Sequence, residues 1–406
     1  MKILHTSDWH LGQTFFSYDR IAEHTMFLLW LADKISELEI DVLLIAGDLF
    51  DSPNPSAYSQ YLFFDFIGKV KRENPSLQII ITSGNHDSGA RLEAPSPLFL
   101  SFDIRVKGIV TRINDEIDYE SMIIPLEKDG NVEGYCLAVP YLRQGDYPVC
   151  TDEAVSNKYA WGVNQLYDEL FKAVSQIKTS GQFIIAMGHL QTIGAELSEN
   201  DTSERAIIGG MDAIAPSVFD QADYVALGHI HKAQKTGREY IRYSGSPLPM
   251  SFAEINYKHG VQLLEFEKGE LKTNERILFD APARLISVPA KPQLKAAVLD
   301  YLEHLETDNE QYSQPPYLEV KVIIDRPEPT LRFEIENALK EKNVRLAKIS
   351  VYSPDSLNKP EDNVRQDAYS PLDPDDLAKK IWQSRFGTDM PEELYKLFVE
   401  AASENH

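Results

Sequence analysis

The chain has 406 residues, of which 43% are hydrophobic and 25% charged. It is longer than one ordinary core requires, so two or three domains are expected, and its composition is typical of a globular protein. No apolar run approaches the roughly 20 residues of a membrane span, and polar residues at 5–8 interrupt the first apolar stretch, which argues against a secretion signal.

The net charge is −23, from 63 acidic and 40 basic residues. This balance argues against binding nucleic acid through a basic surface alone, because phosphate is attracted by clustered Lys and Arg. A DNA-acting protein of this charge needs bound divalent cations or a basic partner at the DNA. The only cysteines are Cys136 and Cys150. A disulfide framework is therefore not expected, and the cytoplasm is the expected compartment.

The N-terminal part of the chain alternates predicted strands and helices. Its strands are short apolar runs, and its helices carry apolar residues at helical spacing. In chain order we predict a strand over 2–6, a helix over 20–37, a strand over 42–46, a helix over 56–71 and a strand over 78–82. This alternation indicates βαβ units and a mostly parallel sheet that is covered on both faces.

From about residue 104 the predicted strands are shorter and closer together, which indicates a second sheet packed on the first. These strands cover 104–110, 121–126 and 135–140, and a helix is predicted over 153–178. Two further strands, each ending in a polar motif, follow at 183–190 and 224–231. Two closing hairpin strands are predicted at 240–252 and 261–267.

The pattern of predicted elements changes after residue 281. Strands and helices then alternate as a compact β-α-β-α-β unit, with strands over 285–290, 317–325 and 346–353 and helices over 294–306 and 331–342. Residues 354–374 are rich in Pro, Asp and Asn and are typical of a linker. The predicted domains are therefore 1–280, 281–353 and, after the linker, a helical tail over 375–406 with helices at 375–385 and 391–402.

Five loops at predicted strand ends carry side chains that bind metals. These side chains are Asp8, His10, Asp48, Asn85, His86, His189, His229 and His231. α/β folds place their sites at the carboxyl ends of strands, so we expect the loops to converge. Two divalent ions about 3.5–4 Å apart need about seven oxygen and nitrogen ligands, one of them bridging. A set without thiolates suits manganese or magnesium-like ions better than structural zinc.

A single strand-end Asp or His is more often a cap or a satisfied polar residue than a ligand. The full set argues otherwise, because five of the ten histidines fall in these loops. Glycine also directly precedes a key residue in four of them, at Gly47, Gly84, Gly188 and Gly228. Glycine lets the backbone turn tightly there without a Cβ clash. The sequence therefore predicts a two-metal site.

The motifs DWHLG, GDLFDS, GNHDS, GHL and GHIH, in this order, resemble those of the calcineurin-like metallophosphoesterases. The stretches HTSDWHLGQ, AGDLFDSPNPS, ALGHIHKAQ and RYSGSPLPMSF narrow the resemblance to the SbcD family, nuclease subunits of bacterial SbcC–SbcD complexes. The resemblance implies an α/β (α+β sandwich) fold with a four-layer core, a small capping domain and a helical tail. It also implies a manganese-dependent DNA nuclease that works with the ATPase SbcC in DNA end processing, repair and recombination.

The same resemblance assigns roles to the site residues. One ion is held by Asp8, His10, Asp48 and His231, and a second by Asp48 as the bridge, Asn85, His189 and His229. The expected catalytic residue is His86, which would contact the scissile phosphate or the leaving oxygen. Two manganese ions are expected, with magnesium as the alternative.

Two further acidic residues, Asp51 and Asp87, lie in the same motifs. Asp87 is expected to orient its neighbours rather than bind metal. Asp51 stands where archaeal members of the family carry a histidine after GDLF, so an imidazole proposed to act in exonuclease chemistry is missing here. Bacterial members of the family look acidic at this position too, so the resemblance still implies an active enzyme.

Two aromatic-rich stretches, at 58–67 and 95–102, are either buried core or an assembly surface. The resemblance favours assembly, since helices at these places pair two subunits in the family. The tail helices carry an apolar stripe without a core of their own, a pattern that fits docking of a helix in a groove. In the family such a tail binds the SbcC coiled coil. DNA, SbcC and a second copy of the chain are thus the expected partners, with no membrane.

Two other functions remain open from the sequence. A phosphatase or small-molecule phosphodiesterase of the same fold could end near residue 267, and the additional β-α-β-α-β unit and tail weigh against it. A scaffold with a decayed site would have lost at least one ligand, and all seven ligand positions are filled.

Overall fold

The computed structural model describes residues 1–196, 213–306, 312–326, 328–354, 391 and 394–395. The predicted linker and tail helices lie almost wholly outside the described residues. In the described ranges the strands are β1 (Lys2–Thr6), β2 (Thr14–Phe15), β3 (Tyr18–Asp19), β4 (Val42–Ala46), β5 (Gln78–Thr82), β6 (Ile104–Lys107), β7 (Arg112–Ile113), β8 (Glu116–Ile117), β9 (Ile123–Lys128), β10 (Asn131–Ala138), β11 (Phe183–His189), β12 (Tyr224–Gly228), β13 (Gln234–Thr236), β14 (Arg238–Tyr243), β15 (Gly260–Glu267), β16 (Glu270–Leu278), β17 (Leu285–Leu294), β18 (Tyr317–Ile323) and β19 (Arg345–Tyr352). The helices are α1 (Ile21–Glu37), α2 (Ala57–Glu73), α3 (Gly89–Glu93), α4 (Ser96–Phe99), α5 (Lys158–Ile177), α6 (Lys295–Glu303) and α7 (Leu331–Ala338).

Two six-stranded sheets form the centre of the molecule. Their strand orders are β16-β15-β1-β4-β5-β6 and β13-β14-β12-β11-β10-β9. Each sheet contains four neighbouring parallel strands, which are β1-β4-β5-β6 in the first and β14-β12-β11-β10 in the second. The remaining strands, β15, β16, β9 and β13, pair antiparallel. Parallel strands with both faces buried are continuous apolar runs, and β4 (VLLIA) and β5 (QIIIT) are buried throughout.

The sheets pack face to face, with helices on their outer faces. The shared core includes Val42 and Ile80 from one sheet and Ile185 and Met187 from the other. On the far side of the first sheet lie α1 and α2, and on the far side of the second lies α5. This helix–sheet–sheet–helix order confirms the predicted four-layer α/β core. No helix in the described part of the chain is long and apolar enough to cross a membrane.

A third, three-stranded parallel sheet, β17-β18-β19, carries α6 and α7 and has its own apolar core. The order of its elements is the β-α-β-α-β order predicted from the sequence. Residues Met1–Tyr352 form one compact unit, so this sheet is docked on the two-sheet core rather than tethered to it. The contact uses an aromatic cluster in which Phe15 and Phe252 pack against Tyr317.

Two predictions about the middle of the chain are wrong. The strand that starts at residue 104 is β6, which pairs with β5 and ends the first sheet instead of starting the second. The predicted closing strands at 240–252 and 261–267 do not pair with each other. The first is β14, which ends at Tyr243 and lies in the second sheet, whereas β15 lies in the first.

Candidate metal centre

Five loops meet at the carboxyl ends of parallel strands from both sheets. The loops after β1 and β4 are bonded to each other, since Asp8 N donates to Gly47 O and His10 N donates to Asp48 O, both at 3.0 Å. In the second sheet His189, at the end of β11, lies beside the end of β12. The loop after β12 returns to the first sheet, because the backbone N of His229 donates to Asp8 Oδ1 at 3.0 Å.

One group of ligand atoms comes from Asp8, His10 and His231, whose donor atoms lie within 4.8 Å of one another. The Nδ1 atom of His10 is 3.2 Å from Asp51 Oδ1. Its Nε2 atom is buried without a hydrogen-bond partner in the described part of the chain, and it lies 3.6 Å from Asp48 Oδ2. Buried polar atoms are normally satisfied, so an imidazole nitrogen left facing carboxylates fits a metal ligand.

A second group comprises Asp8, Asp48 and His189, again with donor atoms within 4.8 Å of one another. The Nδ1 atom of His189 is 2.9 Å from Ala46 O, which directs its Nε2 atom to Asp48 Oδ2 at 3.2 Å and Asn85 Oδ1 at 3.0 Å. Asp48 Oδ2 therefore lies between an imidazole of each group.

The remaining predicted ligands lie beside this second group. The Oδ1 atom of Asn85 is 3.0 Å from His229 Nδ1 as well as 3.0 Å from His189 Nε2. The imidazoles of His189 and His229 are in edge contact, with centroids 5.2 Å apart. All seven predicted ligands thus lie in one connected cluster, and their oxygen and imidazole-nitrogen donors suit a divalent cation.

The His86 imidazole borders the first group and is only partly buried. Its backbone N donates to Asp48 Oδ1 at 2.8 Å, and its Nδ1 atom lies 3.0 Å from Asp51 O. The ring centroid is 4.8 Å from that of His10. His86 also has a nitrogen within 4.8 Å of donor atoms of His10 and Asp48, so its position allows contact with an ion as well as with a phosphate.

The carboxylate of Asp87 links the loop after β4 to the loop after β5. Its carboxylate accepts backbone hydrogen bonds from Leu49 at 3.1 Å, Phe50 at 3.0 Å and Gly84 at 2.9 Å. Burial and the nearby charge of Asp48 raise the pKa of Asp87 to about 6, against the opposing effect of these N–H donors. The side chain therefore fixes the backbone on both sides of the shared carboxylate.

Burial and the charges of neighbouring side chains shift the pKa values of Asp48, His189 and His229. Although burial acts the other way, the His189 imidazolium holds the pKa of Asp48 well below its usual range, and Asp48 raises the pKa of His189 to about 9. Burial, followed by the charge of His189, lowers the pKa of His229 to about 3. His229 is therefore neutral with a free lone pair at neutral pH, while a cation at Asp48 must displace a proton from His189.

Two polar groups at the centre were missed from the sequence. Glu254 Oε1 is 3.1 Å from His231 Nδ1, and Ser7 Oγ joins Asp8 to Ser244, whose Oγ is 2.7 Å away. Ser7 sits inside the first motif, next to a ligand, which is a usable signal. Glu254 follows the RYSGSPLPMSF stretch by two residues and belongs to no recognisable motif.

The fold and the donor set together define a phosphoesterase with a divalent-metal centre. The calcineurin-like phosphoesterase family matches residues 1–233. A second family, described as the type 5 capsule protein repressor C-terminal domain, matches residues 287–386.

Curated relatives match over most of the chain, and each is named as the SbcD component of the nuclease SbcCD. The protein from Rhodobacter capsulatus is 35% identical over 88% of this chain and 88% of its own. That from Escherichia coli K12 is 32% identical over 80% and 78%, and that from Bacillus subtilis 168 is 29% identical over 99% and 98%. The chain belongs to the calcineurin-like phosphoesterase family, and within it to the SbcD group of nuclease subunits.

Proposed function

We propose that the chain is the nuclease subunit of an SbcCD-type complex and hydrolyses phosphodiester bonds in DNA at two Mn²⁺ ions, with Mg²⁺ as the alternative. Its expected reactions are 3′-to-5′ exonuclease cleavage of double strands and endonuclease cleavage of single strands and hairpins. The observation that carries this proposal is Asp48 Oδ2, which lies 3.2 Å from His189 Nε2 and 3.6 Å from His10 Nε2. A carboxylate shared in this way is what a two-metal hydrolase requires.

In this assignment each ion takes a carboxylate shared with the other. The first ion is held by Asp8, His10, Asp48 and His231, and the second by Asp48, Asn85, His189 and His229. Divalent ions at such a site activate water near neutral pH and offset the negative charge of the phosphate. The protein supplies rigid donors and, through Asp87, a fixed backbone around Asp48.

His86 is the proposed catalytic residue. Because its Nδ1 atom is 3.0 Å from the Asp51 carbonyl oxygen, Nδ1 is the protonated nitrogen and Nε2 is the one left for the substrate. When the ring carries protons on both nitrogens, Nε2–H donates its proton to the leaving 3′ oxygen, and the ring is left neutral with its proton on Nδ1. Its backbone is held by Asp48 Oδ1, so the imidazole keeps a fixed distance from the ions.

A His86→Ala variant tests this role in the cleavage of a labelled DNA hairpin with Mn²⁺, with and without SbcC. Loss of a general acid lowers the rate by a factor of about 10²–10⁴. We therefore expect cleavage to fall by at least about 100-fold while Mn²⁺ binding, measured by titration calorimetry, persists. The matched control is Lys172→Ala, which removes an exposed side chain on α5, outside both the ligand set and the capping domain.

Cleavage by His86→Ala at the wild-type rate would overturn the catalytic assignment. The rival function is a small-molecule phosphodiesterase or phosphatase of the same fold. It would be favoured by a wild-type chain that hydrolyses a small phosphodiester rapidly and leaves DNA intact under every condition. The second family match at residues 287–386 weighs against it, because a small-molecule enzyme does not need this unit.

We assign 1–280 to the nuclease domain, 281–353 to a capping domain that contacts DNA, 354–374 to a linker and 375–406 to a tail that docks on SbcC. The separate sheet and core of β17–β19 support the first boundary, between residues 280 and 281. Cys136 and Cys150 are free thiols, which supports a cytoplasmic location.

We also assign a homodimer, formed through α2 and the segment around α4. Each of these stretches divides into two faces. Leu62, Phe63, Phe66 and Phe99 are buried in the core, whereas a second set stays exposed: Tyr58, Tyr61, Phe64, Leu98, Leu100 and Phe102. A group of exposed apolar side chains on neighbouring segments is typical of a protein–protein interface.

A further inference from the structure

Glu254 is a buried carboxylate beside a metal-site imidazole. It ends a short 3₁₀ turn, Phe252–Glu254, whose first residues are capped by Ser251 Oγ, which accepts from Ala253 N at 3.2 Å. Its Oε1 atom is 3.1 Å from His231 Nδ1, and its Oε2 atom accepts a hydrogen bond from Met250 N at 3.0 Å. The carboxylate therefore links the loop after β14 to the loop after β12.

Burying a carboxylate in this place costs folding free energy. Its side chain is 0% exposed, and burying a charge is unfavourable unless hydrogen bonds or opposite charges compensate. A hydroxyl or carbonyl oxygen would satisfy Met250 N equally well. Any acceptor at Nδ1 holds the proton there and leaves the Nε2 lone pair for a cation, but a negatively charged acceptor also raises the basicity of Nε2 more than a neutral one does.

The other site histidines are held differently. The Nδ1 atom of His189 faces a neutral carbonyl, Ala46 O. The Nδ1 atom of His10 faces Asp51, a carboxylate whose side chain is 38% exposed and therefore screened by water. Of the acceptors that face the Nδ1 atoms of these three imidazoles, Glu254 is thus the fully buried carboxylate.

We propose that Glu254 is a positioning residue that orients His231 towards the ion of the Asp8–His10–His231 group and raises the affinity for that ion. This inference rests on the metal centre of the proposed function. Loss of such a supporting acceptor typically costs 10- to 100-fold in metal affinity.

Titration calorimetry of the full metal-free chain with Mn²⁺ tests the proposal on Glu254→Gln. The amide has nearly the shape of the carboxylate but only one acceptor oxygen for two donors, and it is neutral. We expect the variant to bind Mn²⁺ about 10- to 100-fold more weakly at one site. At saturating Mn²⁺ its hydrolysis of bis(p-nitrophenyl) phosphate should return close to the wild-type rate, because the lesion is in binding.

Ser251→Ala is the matched control, since it loosens the same turn without removing the acceptor of His231. It should bind Mn²⁺ as the wild type does. Equal affinities of Glu254→Gln and the wild type would overturn the proposal, and so would an equal loss in Ser251→Ala, which would mean that only the fold of the turn matters. A wild-type chain that binds no Mn²⁺ would instead overturn the metal centre and the proposed function.

Discussion

Four of the proposed ligands have left-handed backbone conformations. The φ angles are 54° at Asp8, 47° at His10, 49° at Asp48 and 96° at His229. Such conformations cost residues other than glycine about 1–3 kcal/mol each and persist only where surrounding contacts impose them. Here the hydrogen bonds from Asp8 N to Gly47 O and from His10 N to Asp48 O join the two loops and hold both in these conformations. The protein therefore holds its donors in place before any cation binds.

Gly84 shows how little room the centre leaves. A Cβ at this position would lie 2.1 Å from Asp48 Oδ1 and 2.3 Å from Asp48 N. Gly84→Ala must therefore displace the shared carboxylate, and overpacking of this kind costs about 1–3 kcal/mol. We expect its Mn²⁺ affinity, measured by titration calorimetry, to fall by at least about tenfold.

Gly130→Ala provides the comparison for that substitution. Gly130 also has a positive φ, 78°, but a Cβ there would meet nothing within 4 Å. This variant should lose about 1–2 kcal/mol of stability from its backbone conformation alone and keep wild-type Mn²⁺ binding. Equal Mn²⁺ affinities of the two alanine variants would contradict the steric argument.

Buried neutral histidines make the metal-free protein sensitive to acid. Burial, together with the charge of Arg20, lowers the pKa of His24 from its ordinary 6.5 to about 3. Between these two values the unfolded chain binds a proton that the folded chain does not. The contribution to stability is complete above about pH 6.5 and is lost as the pH falls through that value towards 3.

We therefore expect His24 to account for about 1.4 kcal/mol of the loss in unfolding free energy between about pH 7.5 and about pH 5.5. Urea unfolding in EDTA at both pH values, with His24→Gln beside the wild type, measures this contribution. His304→Gln, which removes an exposed imidazole, should leave the pH dependence unchanged. A His24→Gln variant with the wild-type pH dependence would contradict the assignment.

The sequence predicts site residues well when the signal is local. Asp8, Asp48 and Asn85 each follow a buried strand within a few residues, so pattern and position agree. Glu254 is different, because its partner His231 lies 23 residues earlier and the two meet only when a 3₁₀ turn folds back. A buried carboxylate of this kind has no sequence pattern that separates it from an exposed glutamate.

At the scale of elements, strands bounded by abrupt changes in polarity were predicted most accurately. The predicted bounds of β1, β4 and β5 are those observed. The strand at 104 was assigned to the wrong sheet because sheet membership depends on pairing with β5, which is not a local property. Residues 244–252 (SGSPLPMSF) form no strand, since Ser244 N and Ser246 N bond to Leu227 O and His231 O and the two prolines have no N–H to donate.

The outer face of α2 gives a prediction about assembly. Tyr61 is 60% exposed and Leu98, on α4, is 63% exposed, although both lie beside a well-packed core. Placing two arginines there desolvates charge at the interface of the proposed dimer, which is strongly unfavourable. The double variant Tyr61→Arg, Leu98→Arg should have the 46.0 kDa mass of one chain in light scattering, against twice that mass for the wild type.

Ile177→Arg supplies the control for assembly, because Ile177 is 52% exposed on α5, away from this patch. It should remain a dimer. A wild-type chain with the mass of one copy at micromolar concentration, or a double variant that stays dimeric, would count against the assignment.

At the scale of the whole molecule, one buried carboxylate joins the core to the sheet β17–β19. Glu23, on α1, accepts from Arg20 Nη2 at 2.9 Å within the core. Its other oxygen accepts from Tyr317 OH at 2.6 Å and Arg345 Nη2 at 3.2 Å, which belong to β18 and β19. The guanidinium of Arg345 also lies 3.6 Å from the centroid of the Tyr317 ring. Because Arg20 bonds to Pro249 O at 2.6 Å, this contact borders the loop that carries Glu254.

Arg345→Met tests whether this junction holds the capping sheet in place. Its side chain is 16% exposed, and a hydrogen bond to a charged group contributes about 1.5–3 kcal/mol. Opening of the sheet should become about 10- to 100-fold more frequent, seen as faster hydrogen–deuterium exchange in β17–β19. DNA cleavage should fall, whereas Mn²⁺ affinity and hydrolysis of bis(p-nitrophenyl) phosphate should not, because the ligands lie in the core.

Arg332→Met is the matched change within the same sheet-and-helix unit, since Arg332 is exposed and pairs with Glu336 on its own helix. It should leave exchange in β17–β19 as it is. Unchanged exchange in Arg345→Met would show that aromatic packing of Phe15 and Phe252 on Tyr317 suffices to hold the sheet. Faster exchange with wild-type DNA cleavage would show instead that the sheet's position does not matter for the nuclease, and the DNA contact proposed for residues 281–353 would then be wrong.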